Sequence, residues 1–503
     1  MNTEVSAQKR RGGFYTPPAL VDFALERGLQ GLTGPVVALE PSAGDGAFLR
    51  GLRRLRPDAR VLAIEREPSE AALCSLADPA AELINDSFFQ ASEGDNRRFN
   101  LLIGNPPYLR YQFVPPEDRA AAERLCAAAG FKLAGVANLW VAFVVVGLGR
   151  LTLGGRFALV IPEELFSTSS AGLARRALTA LAGELRVDRV PRSAFPELLQ
   201  DVIVLSGRRL DGAPPRLVLA EPGVEPVERP LPTDGSPWTS ALLPPAALEA
   251  LALARALPGV SPLGELARFT VATVTGANAF FGIDDATLRA RQLQPWARRL
   301  LTHAPDNLCF SDAEFEARRI GGSSCWLLDF SLAPLTDAAR AYLAEGEASG
   351  LPGRFKCRIR TPWYAVPVVP AGEVVLPKRA DVQHRMSLNL AGAHSTDTLY
   401  RGVMRKGEAR DLVASFHNSL TALGAELEGR SYGGGVLELV PSEVARLPVP
   451  LCPVGGELER LDAVPVADLN EATDALIVAK IPAYGELLPA LMEGRNRLRA
   501  LRF

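Results

Sequence analysis

The chain has 503 residues, of which 48% are hydrophobic and 22% are charged, and this length predicts two or three soluble globular domains. A formal net charge of −2 excludes a uniformly basic protein, so any nucleic-acid surface has to be local. The cysteines are scattered without C-x-x-C pairs, which argues against a disulfide framework or a metal site and favours a cytoplasmic location. The longest apolar run, residues 139–148, is too short to span a bilayer, so we expect no membrane partner.

Strand-like apolar segments alternate with helical segments through the first 210 residues. A helix is predicted after Thr16, because two prolines follow it and an apolar face then runs from Leu20 to Leu25. The predicted strands are residues 36–40, 60–65, 81–86, 101–103, 155–162, 185–190 and 195–205. This alternation predicts an α/β fold with a doubly wound, mainly parallel sheet.

A glycine-containing turn joins the first predicted strand to the helix that follows it. Gly44 and Gly46 lack a Cβ and therefore allow the backbone to pass close to a ligand. Glu40, Glu65 and Asp86 end the first three strands. A carboxylate at the end of the second strand accepts both hydroxyl hydrogens of a ribose, and one after the third suits an exocyclic adenine amine. Strand-end acids are often helix caps, but three on successive strands predict a nucleoside cofactor.

The fourth predicted strand, residues 101–103, leads into Asn105-Pro106-Pro107-Tyr108. The prolines cannot donate ladder hydrogen bonds, so sheet pairing ends there in a rigid turn. Ligands of open α/β sheets bind outside the carboxyl ends of strands. We interpret the turn as holding a nitrogen nucleophile; the alternative is a loop whose tyrosine is an ordinary half-buried ring.

These motifs together resemble those of the amino-group DNA methyltransferases. The resemblance is carried by Phe14-Tyr-Thr-Pro17, Glu40-Pro-Ser-Ala-Gly-Asp-Gly46, Glu65, Asp86 and Asn105-Pro-Pro-Tyr108. More narrowly, the chain resembles the γ-ordered adenine-N6 enzymes of restriction–modification systems, the TaqI-like and Eco57I-like modification methylases. The resemblance implies a Rossmann-like class I methyltransferase sheet with S-adenosylmethionine as its cofactor.

The resemblance also implies roles for individual residues. The Asn105 side-chain oxygen and the Pro106 carbonyl would accept the two hydrogens of adenine N6, and Tyr108 would stack on the flipped base. Phe195 would contact the opposite face or the edge of that base. The cofactor pocket would be lined by Thr16, Glu40, Ser42, Glu65, Asp86 and Phe143, together with the two glycines of the turn. Phe143 equally fits a core position of its own helix.

The composition changes in the second half of the chain. Prolines crowd between residues 214 and 245, which predicts an extended connection over 211–262 with one short helix near 246–256. A catalytic domain is therefore expected over 1–210. Residues 263–503 resemble the mixed α/β target-recognition domain of the same methylases and end in a helical tail.

Residues 354–364 form the most informative stretch of this second half. Four cations at alternate positions, accompanied by aromatic residues, predict a strand that contacts DNA phosphates and bases. The alternative is an ordinary solvated face. The predicted DNA contacts are Arg354, Lys356, Arg358, Arg360 and Trp363.

With the resemblance, these features predict a site-specific DNA adenine-N6 methyltransferase, the modification enzyme of a restriction–modification system. We expect a monomer that acts on double-stranded DNA, and a separate cognate restriction endonuclease is a candidate partner. The alternatives are an N4-cytosine or ribosomal RNA methyltransferase, a protein-glutamine methyltransferase, and a DNA-binding subunit with an inactive methylase fold. The basic stretch of the second half argues against the protein substrate, and the intact Asn105 and Tyr108 argue against the inactive subunit.

Overall fold

The structure is a computed structural model that describes residues 15–134, 138–190, 202–210, 216–432 and 435–501. The chain forms two compact units, Met1–Leu242 and Leu243–Phe503. None of the helices in the described ranges combines the length and the apolar character that crossing a bilayer requires. The domain bounds expected from the sequence stay predictions.

The first unit is built on a nine-stranded sheet in the spatial order β3-β2-β1-β4-β5-β7-β6-β8-β9. Its strands are β1 (Val37–Glu40), β2 (Arg60–Ile64), β3 (Glu82–Ile84), β4 (Phe99–Gly104), β5 (Leu151–Pro162), β6 (Ala182–Arg189), β7 (Val202–Arg209), β8 (Arg216–Glu221) and β9 (Val224–Pro230). Strands β1 to β5 pair in parallel, whereas β7 runs antiparallel to β5 and to β6. The predicted Rossmann-like class I methyltransferase sheet is confirmed.

Helices connect the parallel strands of the first unit. They are α1 (Pro18–Leu29), α2 (Ala47–Leu55), α3 (Pro68–Ala77), α4 (Phe88–Ser92), α5 (Pro116–Ala128), α6 (Trp140–Gly149), α7 (Glu164–Ser167) and α8 (Gly172–Leu181). Helix α1 begins at Pro18, where the missing N–H of proline costs no intrahelical hydrogen bond. The predicted apolar face is confirmed, since Leu20, Val21, Ala24 and Leu25 are buried.

Strand β4 brings the proline-containing turn beside the end of β1. Leu101 and Leu102 pair with Ala38 and Leu39 of β1, and the apolar run of β4 is fully buried. The strand ends at Gly104, whose φ of 138° is a conformation that L side chains rarely adopt. Because both strands run parallel, Glu40 and the residues after Gly104 meet at the same edge of the sheet.

Part of the predicted connection over 211–262 is sheet, so the prediction is wrong for residues 216–230. Strand β8 pairs in parallel with β6, and β9 returns antiparallel to β8 at the sheet edge. The prolines at 226 and 230 are tolerated because one side of an edge strand makes no ladder hydrogen bonds. The helix predicted near 246–256 is confirmed as α9 (Pro245–Arg255) in the second unit.

The second unit combines several small sheets with helices, as expected for a mixed α/β domain. Its strands are β10 (Val260–Pro262), β11 (Ala267–Val271), β12 (Gly282–Ile283), β13 (Ala297–Leu301), β14 (Cys309–Phe310), β15 (Trp326–Leu328), β16 (Val374–Pro377), β17 (Arg379–Ala380), β18 (Ser387–Asn389), β19 (His394–Ser395), β20 (Leu399–Met404), β21 (Arg430–Tyr432), β22 (Val436–Glu438) and β23 (Pro448–Pro450). The largest sheet has the order β11-β20-β16-β18-β14.

The helices after α9 pack around these sheets and form the carboxyl-terminal tail. They are α10 (Leu263–Leu266), α11 (Asn278–Phe281), α12 (Asp285–Ala290), α13 (Asp312–Ile320), α14 (Asp337–Ala348), α15 (Phe355–Arg358), α16 (Ala409–Phe416), α17 (Ser419–Glu428), α18 (Pro441–Val444), α19 (Leu458–Asp462), α20 (Leu469–Lys480) and α21 (Pro482–Ala500). The predicted helical tail after residue 468 is confirmed by α20 and α21.

The predicted DNA-contacting strand over 354–364 is wrong, because this stretch holds the single-turn helix α15 and a loop. Pro352 precedes this stretch and Pro362 lies within it, and neither can donate a ladder hydrogen bond. The alternating cations therefore do not share one face of a sheet. Cys357 lies between Lys356 and Arg358 and is fully buried, so its side chain marks the side of the helix that packs against the protein.

Candidate active site

The two glycines of the β1–α2 turn are needed for different structural reasons. Both adopt positive φ, 55° at Gly44 and 78° at Gly46. A Cβ on Gly46 would stand 2.6 Å from the Cβ of Ala77 in α3, so Gly46 is required for packing. A Cβ on Gly44 would point into open space. Gly44 is therefore the glycine that leaves room beside the turn.

Glu65, at the end of β2, ties this turn to the sheet. One carboxylate oxygen accepts from the Gly44 N–H at 2.8 Å, and the other accepts from the Glu67 N–H at 2.8 Å. The Cys74 thiol donates to the Gly44 carbonyl at 3.0 Å, and burial together with the nearby Glu40 raises the pKa of that thiol to about 12. The neutral thiol and the carboxylate hold the turn open in one conformation.

Glu40 is a buried carboxylate that has no hydrogen-bond partner among the described residues. It is 1% exposed, and neither of its oxygens accepts a hydrogen bond from a described residue. Burial raises its pKa well above the ordinary value, and the negative charges of Asp45 and Glu65 raise it further. An unsatisfied buried carboxylate is costly, so the site suits a ligand that brings a positive charge or hydrogen-bond donors.

Asn105 is held at both its side chain and its main chain. Its Nδ2 donates to the Thr16 hydroxyl at 3.0 Å, and the Ser42 hydroxyl donates to its main-chain carbonyl at 3.1 Å. Thr16 and Ser42 were predicted to line the cofactor pocket, and the structure places both against Asn105. The sequence gives no signal for the Thr16 contact, since the two residues lie 89 positions apart.

Tyr108 is fixed through its hydroxyl. The hydroxyl donates to the Val160 carbonyl of β5 at 3.1 Å, and the half-buried ring packs against the core of the first unit. Burial, with a smaller effect of Glu164, raises the pKa of Tyr108 well above its ordinary value. The phenol therefore stays protonated and cannot act as a base. It positions the ring beside the Asn105-Pro106-Pro107 turn.

The remaining predicted cofactor residues lie after β3 and in α6. Asp86 is exposed, and its carboxylate accepts from the Ser87 N–H at 2.6 Å. Phe143 is 6% exposed and stacks on Phe88 with 5.0 Å between ring centroids. Phe89 meets the same ring edge-on at 4.9 Å. Phe143 thus has the packing of a core residue behind the turn that carries Asp86. Phe195 lies outside the described residues.

The predicted DNA contacts of the second unit divide into two groups. Arg354, Lys356 and Arg358 are exposed. Arg360 instead donates to the carbonyls of Val274 at 2.7 Å and Thr275 at 2.6 Å, so it braces the loop. Trp363 packs against the Phe280 ring with 5.7 Å between ring centroids. Across the described ranges, no cluster of side chains has the composition of a metal site.

Two family models match this chain. The Eco57I restriction-modification methylase model matches residues 67–184, and the model for the C-terminal domain of the type II methyltransferase M.Eco57I matches residues 235–476. Between them the two models cover well over half of the chain. The first includes Asp86 and the turn with Asn105 and Tyr108 but not the β1–α2 turn, and the second falls mostly on the second unit.

Individual relatives and solved structures are similar over shorter or weaker matches. The type II methyltransferase M.XamI of Xanthomonas campestris pv. amaranthicola is 24% identical over 88% of this chain and 85% of its own length. M.HincII of Haemophilus influenzae is 25% identical over 32% of this chain and 29% of its own length. The structure of a DrdV–DNA complex covers 93% of this chain and 58% of that chain at 11% identity, with a TM-score of 0.49.

The fold, the turn after β4 and the two matched family models all agree with the methylase resemblance found in the sequence. The expectation of S-adenosylmethionine as cofactor is confirmed at the level of the family. The buried Glu40 and the open space beside Gly44 fit a cofactor that carries positive charge. Over residues 67–184 and 235–476, the chain carries the two domains that characterise the Eco57I-type restriction–modification methylases.

Proposed function

We propose that this protein transfers a methyl group from S-adenosylmethionine to the N6 atom of a flipped adenine in double-stranded DNA. The observation that supports this most directly is the double restraint on Asn105, whose amide contacts Thr16 and whose carbonyl contacts Ser42. A planar amide fixed in this way, followed by two prolines and Tyr108, suits a planar nitrogen nucleophile. DNA is the substrate class because M.XamI and M.HincII are named type II methyltransferases.

Methyl transfer to adenine N6 requires hydrogen-bond acceptors and correct positioning of the base, and it does not require a strong base. Adenine N6 is a weak nucleophile because its lone pair is delocalised into the ring. The Asn105 Oδ1 and the Pro106 carbonyl accept its two hydrogens, which localises the lone pair and stabilises the positive charge that develops. Tyr108 stacks on the base and offsets part of the cost of flipping it. The proton leaves the nitrogen after the transfer.

The first three strand ends form the cofactor side of the site in this proposal. S-adenosylmethionine supplies an electrophilic methyl group on a positively charged sulfur. Glu40 provides the negative charge that faces this cation, Glu65 holds the turn and accepts from the ribose, and Asp86 accepts from the adenine amine. Gly44 leaves the room that the ligand occupies.

Mass spectrometry of nucleosides identifies the base that receives the methyl group. The protein is incubated with unmethylated genomic DNA and S-adenosylmethionine labelled in the methyl group, and the DNA is then digested. We expect the label in N6-methyladenine. Label in N4-methylcytosine would contradict the adenine assignment, and label found only in RNA or in protein would contradict the DNA substrate.

Thr16 is expected to act as a positioning residue for Asn105. Thr16→Val keeps the shape of the side chain but removes the acceptor of the Asn105 Nδ2 hydrogen bond. We expect the single-turnover rate constant at saturating cofactor and DNA to fall by about tenfold, in line with the cost of one lost hydrogen bond in a reacting geometry. Thr16→Ser, which restores the hydroxyl, is expected to recover most of the rate. Equal rates for the two variants would contradict the role.

Glu40→Gln is expected to separate stability from cofactor binding. Burial raises the pKa of Glu40 in the folded state above its pKa in the unfolded state. The contribution of Glu40 to the free energy of unfolding is therefore fully present below the unfolded-state pKa, and it is lost as the pH rises through the folded-state pKa. Without cofactor, the variant should therefore gain in Tm relative to the wild type as the pH is raised from about 5 to about 8. Its affinity for S-adenosylmethionine should fall by about tenfold, since one charge-assisted contact is removed. Calorimetry measures both quantities; a variant that binds as tightly as the wild type would exclude the contact.

A further inference from the structure

Helix α15 and the residue that caps its carboxyl end expose two large apolar side chains on the surface of the second unit. Phe355 is 63% exposed and Ile359, four residues later, is 64% exposed. Residues four apart lie on the same side of a helical turn, so the two side chains form one apolar tip. Exposed apolar groups that are held together in this way mark interaction surfaces.

Three cations surround this tip. Arg354, Lys356 and Arg358 are exposed, and none of them forms an ion pair with a carboxylate in the described part of the chain. The Lys356 ammonium lies 5.5 Å and the Arg358 guanidinium 5.9 Å from the centre of the Phe355 ring. Positive charge that lacks internal partners is complementary to a polyanion.

The tip is rigidly supported from below. Cys357 is fully buried, and the backbone of Gly276 comes so close that a Cβ there would stand 2.8 Å from the Lys356 Cβ. Arg360 fastens the end of the turn through its two hydrogen bonds to the Val274 and Thr275 carbonyls. A rigid support means that little conformational entropy is lost when the tip binds.

We propose that Phe355 and Ile359 form a wedge that enters between adjacent base pairs of duplex DNA, while Arg354, Lys356 and Arg358 contact the flanking phosphates. This inference rests on the proposed DNA substrate and adds a mode of binding. Apolar side chains that enter a base step unstack and kink the duplex, and cationic neighbours anchor the backbone on both sides. A protein partner fits the tip less well, because lysine is depleted at the centres of protein interfaces.

The test measures binding to two probes by fluorescence anisotropy. One is a short, labelled, random-sequence duplex, and the other is the same duplex with a central mismatch, at which unstacking costs less. We expect the wild type to prefer the mismatched probe by several-fold. Phe355→Ala should bind the paired probe about tenfold more weakly and lose the preference, with an unchanged slope of log K against log salt.

Two further variants separate the wedge from the charges. The double variant Lys356→Gln, Arg358→Gln should reduce the salt slope by about two, because two phosphate contacts are removed. Ile320→Ala, at another aliphatic residue of the second unit with 78% exposure, is the matched control and should bind like the wild type. Circular dichroism should show the same fold for all variants. Phe355→Ala with wild-type affinity and preference would overturn the wedge.

A failure of the wedge can be distinguished from a failure of the methyl-transfer proposal. Transfer of labelled methyl groups to DNA is measured in the same preparations at saturating DNA. A wild type that binds the probes through Phe355 but methylates no DNA supports the wedge and refutes the proposed reaction. A wild type that methylates DNA without any dependence of binding on Phe355 supports the reaction and refutes the wedge.

Discussion

Asn105→Ala is expected to lower the rate of methyl transfer by about a hundredfold to a thousandfold, the loss seen when one preorganised polar group is removed from a transition state. The variant removes the side-chain acceptor of the amine and leaves the Pro106 carbonyl in place. It also removes the hydrogen bond to Thr16. Because Glu40, Gly44 and Glu65 are untouched, the affinity for S-adenosylmethionine should stay within about threefold of the wild type, a change of less than 1 kcal/mol.

Single-turnover transfer of labelled methyl groups and calorimetric titration with the cofactor measure these two quantities. Asn105→Asp is the matched control, because it keeps an acceptor oxygen but adds a negative charge and removes the N–H that contacts Thr16. We expect an activity between those of the wild type and Asn105→Ala. An alanine variant with wild-type turnover would show that Asn105 takes no part in the reaction. A variant that also fails to bind cofactor would show that Asn105 supports the pocket as a whole.

The sheet that carries this site was predictable because its signals are local. Most buried strands of the first unit contain a short apolar run, and an acid stands at the end of β1 (Glu40) and just after β2 (Glu65) and β3 (Asp86), at the same edge of the parallel sheet. The alternation of strands and helices predicts a mainly parallel sheet, but it does not determine the order of the strands. What the sequence does not contain is the contact between Thr16 and Asn105. That hydrogen bond depends on how the start of α1 packs against the end of β4.

The two wrong predictions have different physical causes. Residues 216–230 contain prolines and still form strands, because β9 lies at an edge where missing donors are tolerated. Residues 354–364 show an alternating charge pattern and form a helical turn and a loop. An alternation of period two predicts a strand only when one face is buried, and here burial falls on Cys357 alone between two exposed cations.

The largest effect on stability is expected for Gly46→Ala. At a φ of 78° an alanine is strained, and its Cβ would stand 2.6 Å from the Cβ of Ala77. Left-handed backbone costs an alanine about 1–2 kcal/mol, and overpacking adds about 1–3 kcal/mol. For a unit of this size we expect the Tm to fall by roughly 6–12 °C.

Gly44→Ala is the matched comparison, because it also sits at positive φ but its Cβ would meet open space. It carries the backbone strain without the clash, so its Tm should fall by no more than roughly 5 °C. The methyl group would instead occupy the room proposed for the cofactor, and the affinity for S-adenosylmethionine should fall by at least about tenfold. Thermal unfolding and calorimetric titration of both variants therefore distinguish packing from ligand space. A Gly44→Ala variant that binds the cofactor normally would place the ligand elsewhere along the sheet edge.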